Sequence, residues 1–544
     1  MTFTAPGAGE WALDRSHFPG GSTPIAEWLM TESMPTAFRR VFREVGVPAD
    51  TLDVGFVNGF MYTRLRPLIA PDKPSAKLPP APILKLASRL HPGFRRANKA
   101  AAASLRDRPW RGVIERWNNS VMPEVRRKNL ELQGVDLAPL DDVALAAHLD
   151  RLLVHARAMY ELHFWLHGYD LGPVGMLLFD CASWGLAPTD VIPALTGASP
   201  STVQPLRELA AIRATVEASG RTPTSVEELR AIAPDIDVYL QTRGSMVVSQ
   251  YDLDGRTLGE LPDVIVASVL NARVRPEADV DEVIGWLRAR VPAAQRAAFD
   301  ERLSEARSAM DLRDANGPMT AEWPVGLLRL ALLHAGTRLV QSGRIRLAEH
   351  LFELRRDEVV GLVANGDGPT SDELVERATR RAERARLIPP PRLGPAELSP
   401  RLDLLPAALG RMVGAVQMVL AQLDMDGSGG IVTTDPLQGH GVGVGSAVGR
   451  VCKALSADEA LGLMEPGDIL LVPFTTPAYN TVLTLASAVV TSEGGPLCHA
   501  AVLARELGIP GVVGARGSLA AINHGDIIEV DAALGRVRLQ VTVE

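Results

Sequence analysis

Residues Glu493 to Gly514 read EGGPLCHAAVLARELGIPGVVG. An apolar run, AVVTS, stops just before the Gly494-Gly495 pair. Glycine at such a turn permits backbone angles and close approaches that a Cβ would block. The spacing predicts a helix from about His499, because Ala500, Leu503, Ala504 and Leu507 fall at i, i+3, i+4 and i+7 and bury one face. Gly508 suits the C′ position, and Pro510 keeps the helix from resuming. Strand, glycine turn and helix in that order make an α/β unit. His499 then stands at the mouth of the loop, beside helix N–H groups without intrahelical partners, a place that favours an anion. A neutral imidazole is nucleophilic near pH 7 and suits a covalent relay, although a capping or packing histidine fits the same position.

Around this run the chain keeps an α/β rhythm. ILLVPF, Ser487–Thr491 and Val512-Val513 read as strands, and Asp526–Val530 with Val537–Val541 as a hairpin closed by DAALGR. From Asp435 onward six basic residues face 11 acidic ones, net −5. The run Gly441-Val-Gly443-Val-Gly445 mimics a dinucleotide fingerprint, but no βαβ unit with a ribose-binding acid follows at the right distance. Upstream, DMDGSGG (Asp424–Gly430) has the composition of a flexible tether. Its Asp424 and Asp426 lack the later ligands and closing glutamate of a calcium loop.

The front part reads as helical. Val143, Ala146, Leu149, Leu153, Ala156, Met159 and Leu162 form one apolar stripe. Further helices are expected over Ser201–Ala218, Val280–Arg288, Ala293–Leu312, Val325–Ser342 and Asp372–Arg386. LIPPPRL (Leu387–Leu393) ends the last of these. Strand signals are sparse, with Gly244–Gln250 the one short candidate. Leu404–Leu423 is apolar but carries Arg411, Gln417, Gln422 and Pro406, which favours a packed core helix over a membrane span. The expected fold class is therefore a large, mostly helical substrate domain over residues 1–423, a tether over 424–438, and a small α/β domain over 439–544.

With 544 residues the chain is too long for one core. Three scattered cysteines (Cys181, Cys452, Cys498) exclude a disulfide scaffold and a four-cysteine zinc site. A net charge of −8 argues against a nucleic-acid coat. Between Lys77 and Lys128, however, 13 Lys/Arg meet only three acids, with Phe94, Trp110 and Trp117 interleaved. Solvated helix faces account for this stretch, and a docking surface for an acidic partner is the alternative. No basic n-region followed by an apolar h-region opens the chain, and the expected location is the cytoplasm.

Three other groups are candidates. His163 and His167 sit at i, i+4 on one helix face with Asp170 close in sequence, and fit a general base, a zinc site or plain core histidines. Arg243 fits a phosphate or substrate contact, or a structural ion pair. Phe164, Trp165, Tyr169, Phe179 and Trp184 fit either a pocket lining or a core.

The run 493–514 resembles the phosphohistidine, or mobile, domain of the phosphoenolpyruvate-utilising enzymes. The likeness extends over 439–544 through GVGVGSAVGRV, PFTTPAYN and HGDIIEVDAALGRV. The resemblance implies that His499 is phosphorylated and that Gly494, Gly495 and Cys498 belong to its phosphate-binding loop. Cys498 stands where the family has Ser or Thr, which weakens any hydroxyl hydrogen bond and exposes a thiol to oxidation. WALDRSHFPGGSTP, YLQTRGSMVVSQYDLDGRTLGELP and RLVQSGRIRLAEHLFELRRDEV resemble, more loosely, the substrate domain of rifampin phosphotransferase and its relatives. The ATP-grasp domain of those enzymes has no counterpart here, a situation similar to phenylphosphate synthase. The implied function is a phosphotransferase subunit moving a phosphoryl group through His499, from ATP and Mg2+ on an ATP-grasp-type partner to a hydroxyl of a small organic substrate, aromatic compounds included. Neither nucleic acid nor membrane is an expected partner, and no metal is expected on this chain. A phosphohistidine-dependent ligase or condensing enzyme is one alternative, and a non-catalytic binding or regulatory protein another.

Overall fold

Helical periodicity in the front part becomes helices close to the expected positions. A computed structural model describes all residues except 1, 15, 16, 19, 74–79, 249–250, 275–278, 398–400, 425–434, 476–478 and 541–544. Helices run over Pro200–Ser219, Asp281–Arg290, Arg296–Gly317, Trp323–Gln341 and Ser371–Arg384. The apolar stripe lies on one 42-residue helix, Asp142–Ser183. Ala146, Leu149, Leu153 and Ala156 are buried, whereas Val143 is 63% exposed although Leu145 in the same turn is buried. Leu404–Leu423 becomes the helix Ala407–Leu423, with Leu409, Met412, Ala415 and Val419 buried. Among the described residues no helix is long and apolar enough to cross a membrane.

Two compact units form, and both are discontinuous in sequence, unlike the consecutive domains the sequence suggests. The first takes residues 1–169, 251–255 and 316–414; the second takes 170–250, 256–315 and 415–544. Of the tether expected at 424–438, residues 425–434 lie outside the described residues.

The first unit corrects the expectation that strands are sparse in the front part. It holds a four-stranded sheet ordered β2-β3-β1-β4, from β1 (Trp11–Leu13), β2 (Ala49–Val57), β3 (Phe60–Pro67) and β4 (Arg392–Leu393). β2 and β3 form an antiparallel hairpin with Val57 opposite Phe60. Its turn is Asn58-Gly59, both at positive φ (54° and 85°), as a two-residue hairpin of matching twist requires. Trp11, Phe60, Tyr62 and Leu393 pack as one apolar cluster, so the end of LIPPPRL itself closes the sheet. By contrast, of the expected strand Gly244–Gln250 the described residues 244–248 make only an isolated bridge, Val247 to Thr257, and 249–250 lie outside the described residues.

The second unit holds a seven-stranded sheet, ordered β11-β10-β6-β7-β8-β9-β5. Its strands are β5 (His440–Val442), β6 (Ser446–Lys453), β7 (Ile469–Val472), β8 (Ala488–Thr491), β9 (Gly511–Val513), β10 (Ile527–Asp531) and β11 (Arg536–Leu539). β6, β7, β8 and β9 run parallel, and β5 and β10 flank them antiparallel. Every residue of β7 and β8 is buried, which explains their unbroken apolar text. After the glycine run 441–445 comes the strand β6 rather than a helix, so no dinucleotide fold forms there. The α/β part shares one apolar core with the helical part of its own unit. Helix His499–Leu507 packs on Pro200–Ser219, and helix Asn480–Leu485 on Pro262–Asn271. Leu206, Leu209 and Val269 thus meet Val489, Ala500 and Leu503 in a single cluster.

Candidate active site at the glycine loop

β8 delivers the chain into the loop Ser492–Cys498, and helix His499–Leu507 carries it away, ending at Gly508 in the left-handed conformation. Gly494 has φ +100°, and a Cβ there would lie 2.9 Å from Cys498 Sγ. The Gly495 N–H donates to Leu423 O at 3.3 Å, and the Leu497 N–H to Gln422 O at 2.9 Å. The loop is therefore clasped by the last carbonyls of helix Ala407–Leu423. That approach leaves no room at Gly495, where a Cβ would lie 2.4 Å from Gln422 O. Gly495→Ala should cost about 1–3 kcal/mol by overpacking. It should also speed amide exchange over 494–500. Unchanged stability in urea together with unchanged exchange would show that the clasp does not need this glycine.

His499 is half-buried in the first helical turn. Its Nδ1 lies 3.0 Å from Thr475 Oγ1. Burial, and next the charge of Arg313, push its pKa down to about 3, so the ring is neutral at pH 7. In the tautomer whose Nδ1–H donates to Thr475, the nucleophilic lone pair lies on Nε2. Two guanidinium groups bracket the loop. Arg313 donates through Nη1 and Nη2 to Leu497 O (both 3.4 Å), and Arg505 through Nη2 to Pro496 O (2.7 Å). Burial brings Arg505 down to about 10, the mark of a positive group with little solvent around it. A neutral nucleophile at a helix N-terminus, with the charge of Arg313 near enough to act on it, can accept a phosphoryl group and hold its charge.

Cys498 occupies the N-cap position, and its sulfur makes no side-chain cap hydrogen bond. Burial raises its pKa, which disfavours the reactive thiolate and runs against the oxidation expected at this thiol.

Gly494, Gly495, Cys498 and His499 thus form one loop. Thr475 stands in the PFTTPAYN text noted above, and that text was its signal. Arg313 had no local signal: it lies on the helix Arg296–Gly317, far from the loop in sequence.

The other candidates lie elsewhere. In the first unit His163 is buried, with Nδ1 3.1 Å from Thr320 Oγ1 and Nε2 3.2 Å from His167 Nε2. Burial, then His167 and His17, hold His163 well below the usual histidine range. Thr320 belongs to a π-turn, Pro318–Glu322. Arg243, in the second unit, pairs with Glu208 at 2.7 Å and lies over the Tyr239 ring. That is the ion-pair arrangement. The aromatic residues 164–184 do not converge. Twenty helical residues span about 30 Å, and within the first unit Trp165 and Tyr169 are instead held by the Glu44 carboxylate. In the basic stretch Trp110 and Trp117 are buried core residues.

Residues 464–535 match the mobile domain of the PEP-utilising enzymes. An uncharacterized protein of Mycobacterium tuberculosis is 29% identical over 73% of this chain and 43% of its own length. Chondramide synthase of Chondromyces crocatus is 26% identical over 97% of this chain and 14% of its own length. An uncharacterized phosphotransferase of Bacillus subtilis is 33% identical over 38% of this chain and 23% of its own length. The chain thus spans less than half the length of these relatives. The likeness to the PEP-utilising enzymes is thus carried by the mobile-domain match over residues 464–535 of the C-terminal α/β part.

Proposed function

We propose that this chain is a phosphotransferase subunit in which His499 relays a phosphoryl group from a nucleotide to a hydroxyl of a small organic substrate, aromatic compounds included. The observation that carries this reading is the neutral imidazole of His499, tied through Nδ1 to Thr475 at the glycine loop. His499 Nε2 attacks the phosphorus, an N–P bond forms, and the P–O bond breaks with its electrons leaving on the nucleotide. Arg313, whose charge already acts on His499, favours the charge that arrives. His499 then delivers the same phosphoryl group to the acceptor hydroxyl. Each transfer relies mainly on positioning and charge.

The nucleotide is assigned to a separate ATP-grasp-type protein. Attack on ATP needs Mg2+ held by carboxylates, which an ATP-grasp-type partner would supply. Phosphoramidate should phosphorylate the purified chain at His499, whereas ATP with Mg2+ should not, and adding the nucleotide-binding protein should restore ATP-dependent labelling. Stoichiometric labelling by ATP alone would overturn the need for a partner. Failure of every donor to modify His499 would overturn the phosphohistidine reading.

A further inference from the structure

Helix Ala81–Leu90, in the first unit, turns its apolar side outward. Ser88 is buried, and its Oγ donates to Leu404 O at 2.9 Å. Ile83, Leu86 and Leu90 fall at i, i+3 and i+7 and share one face. They are 56%, 59% and 62% exposed. Ser88 stands two residues from both Leu86 and Leu90, about 160° round the helix. The anchored side and the apolar stripe are thus opposite sides. A single exposed leucine is ordinary. Three on one face of a ten-residue helix make a patch.

The charge around this patch has one sign. Lys85 and Arg89 are exposed on the same helix, and Arg95, Arg96 and Lys99 on the next, Pro92–Asp107. His91 ends the first helix and caps the second, its Nδ1 accepting the Gly93 N–H at 3.2 Å, so the two meet at a fixed junction. From residue 73 to 106 the sequence holds eight Lys/Arg and no Asp or Glu. The acids that bound this stretch are engaged: Asp72 pairs with Arg66 at 2.9 Å and Asp107 with Arg106 at 2.7 Å. Among the described residues no acid pairs with the five exposed cations of the two helices.

We propose that this face docks on an anionic lipid surface. Helix Ala81–Leu90 lies in the plane of the interface, with Ile83, Leu86 and Leu90 in the acyl boundary and the five cations at headgroup level. Charge complementarity selects this partner. An outward apolar stripe flanked by Lys and Arg needs an apolar layer directly beneath a negative one, and an anionic bilayer offers both. A protein partner is met by charges of both signs that fix register, and lysine is depleted at such interfaces. This face carries cations alone. The net charge of −8 on the whole chain does not oppose docking, because charges more than about 8 Å away are screened at physiological salt. The reading is independent of His499.

The test is sedimentation of the full chain with vesicles of phosphatidylcholine holding about 30% phosphatidylserine, or of phosphatidylcholine alone. The anionic vesicles should bind at least about tenfold more tightly. Raising salt from about 0.1 M to about 1 M shortens the screening length from about 10 Å to about 3 Å and should release the chain. One cation near such a surface is worth about fivefold, so Lys85→Gln with Arg89→Gln should weaken binding about 25-fold. Leu86→Ser should weaken it about tenfold. These side chains are exposed, so urea unfolding of the variants should match the wild type, which separates lost docking from lost folding. No binding to the anionic vesicles, equal binding to both kinds, or full binding by Leu86→Ser would each overturn the proposal. Retention on immobilised poly-L-glutamate without binding to vesicles would also overturn it and give the face to an acidic protein.

Discussion

The His499→Ala chain should take up no phosphoryl group from any donor, while intact mass at alkaline pH shows one added group on the wild type. Its fold should survive. His499 is half-buried and its side chain bonds to Thr475, so the loss should be about 0.5–1.5 kcal/mol. The pH dependence gives a second readout. A free imidazole of pKa ≈ 6.5 falls to about 3% neutral at pH 5. His499, held down to about 3, stays neutral there, because burial and Arg313 oppose its protonation. Measured against N-acetylhistidine in the same phosphoramidate solutions, the relative rate at His499 should rise about 30-fold between pH 8 and pH 5. A flat ratio would mean that His499 titrates like a free histidine. The sign for stability is the reverse: the unfolded chain binds the proton first, so this group weakens folding as pH falls below about 6.5.

The second large effect is expected inside the helical part of the second unit. Arg302 is 8% exposed and donates through Nε to Asp180 and through Nη1 to Glu305, each at 3.1 Å. Both carboxylates are buried. Arg302→Ala leaves them without the guanidinium, and breaking such a buried network costs about 3–5 kcal/mol. Arg288→Ala should cost less than about 1 kcal/mol, because the Arg288–Asp300 pair is nearly half exposed on both sides. Urea unfolding of the two variants should separate them clearly. Equal losses would show that the Arg302 network is no stronger than a surface pair.

Much of this was readable where chemistry is local. The helix His499–Leu507 lies where its i, i+3, i+4, i+7 spacing put it, and the strands 469–472, 488–491 and 511–513 follow apolar text buried on both faces. The hairpin Ala49–Pro67 was missed although Asn58-Gly59 is among the strongest short turn signals. Its flanking text, LDVGFVNGFMYTRLRP, sits between helices, so the helical rhythm on either side masked the alternation. Arg313 was not legible because the helix that carries it meets the loop only through tertiary packing. For His163 the periodicity gave the right face, and what it could not supply was the Thr320 contact from a distant π-turn.

The interleaving of the two units has a consequence for how the chain is made. β1 and β3 form early, but β4, which pairs with Trp11 and Ala12, is drawn from residues 392–393. The first unit therefore stays open until most of the chain has left the ribosome. The second unit waits longer. Leu206, Leu209, Val226 and Ile265 share their core with residues 442–513, so part of these apolar helix faces stands bare through much of synthesis. Ribosome-bound chains stopped before residue 439 should thus be bound by chaperones and cut by proteases in the 200–272 helices. Release of the mobile domain should abolish both together.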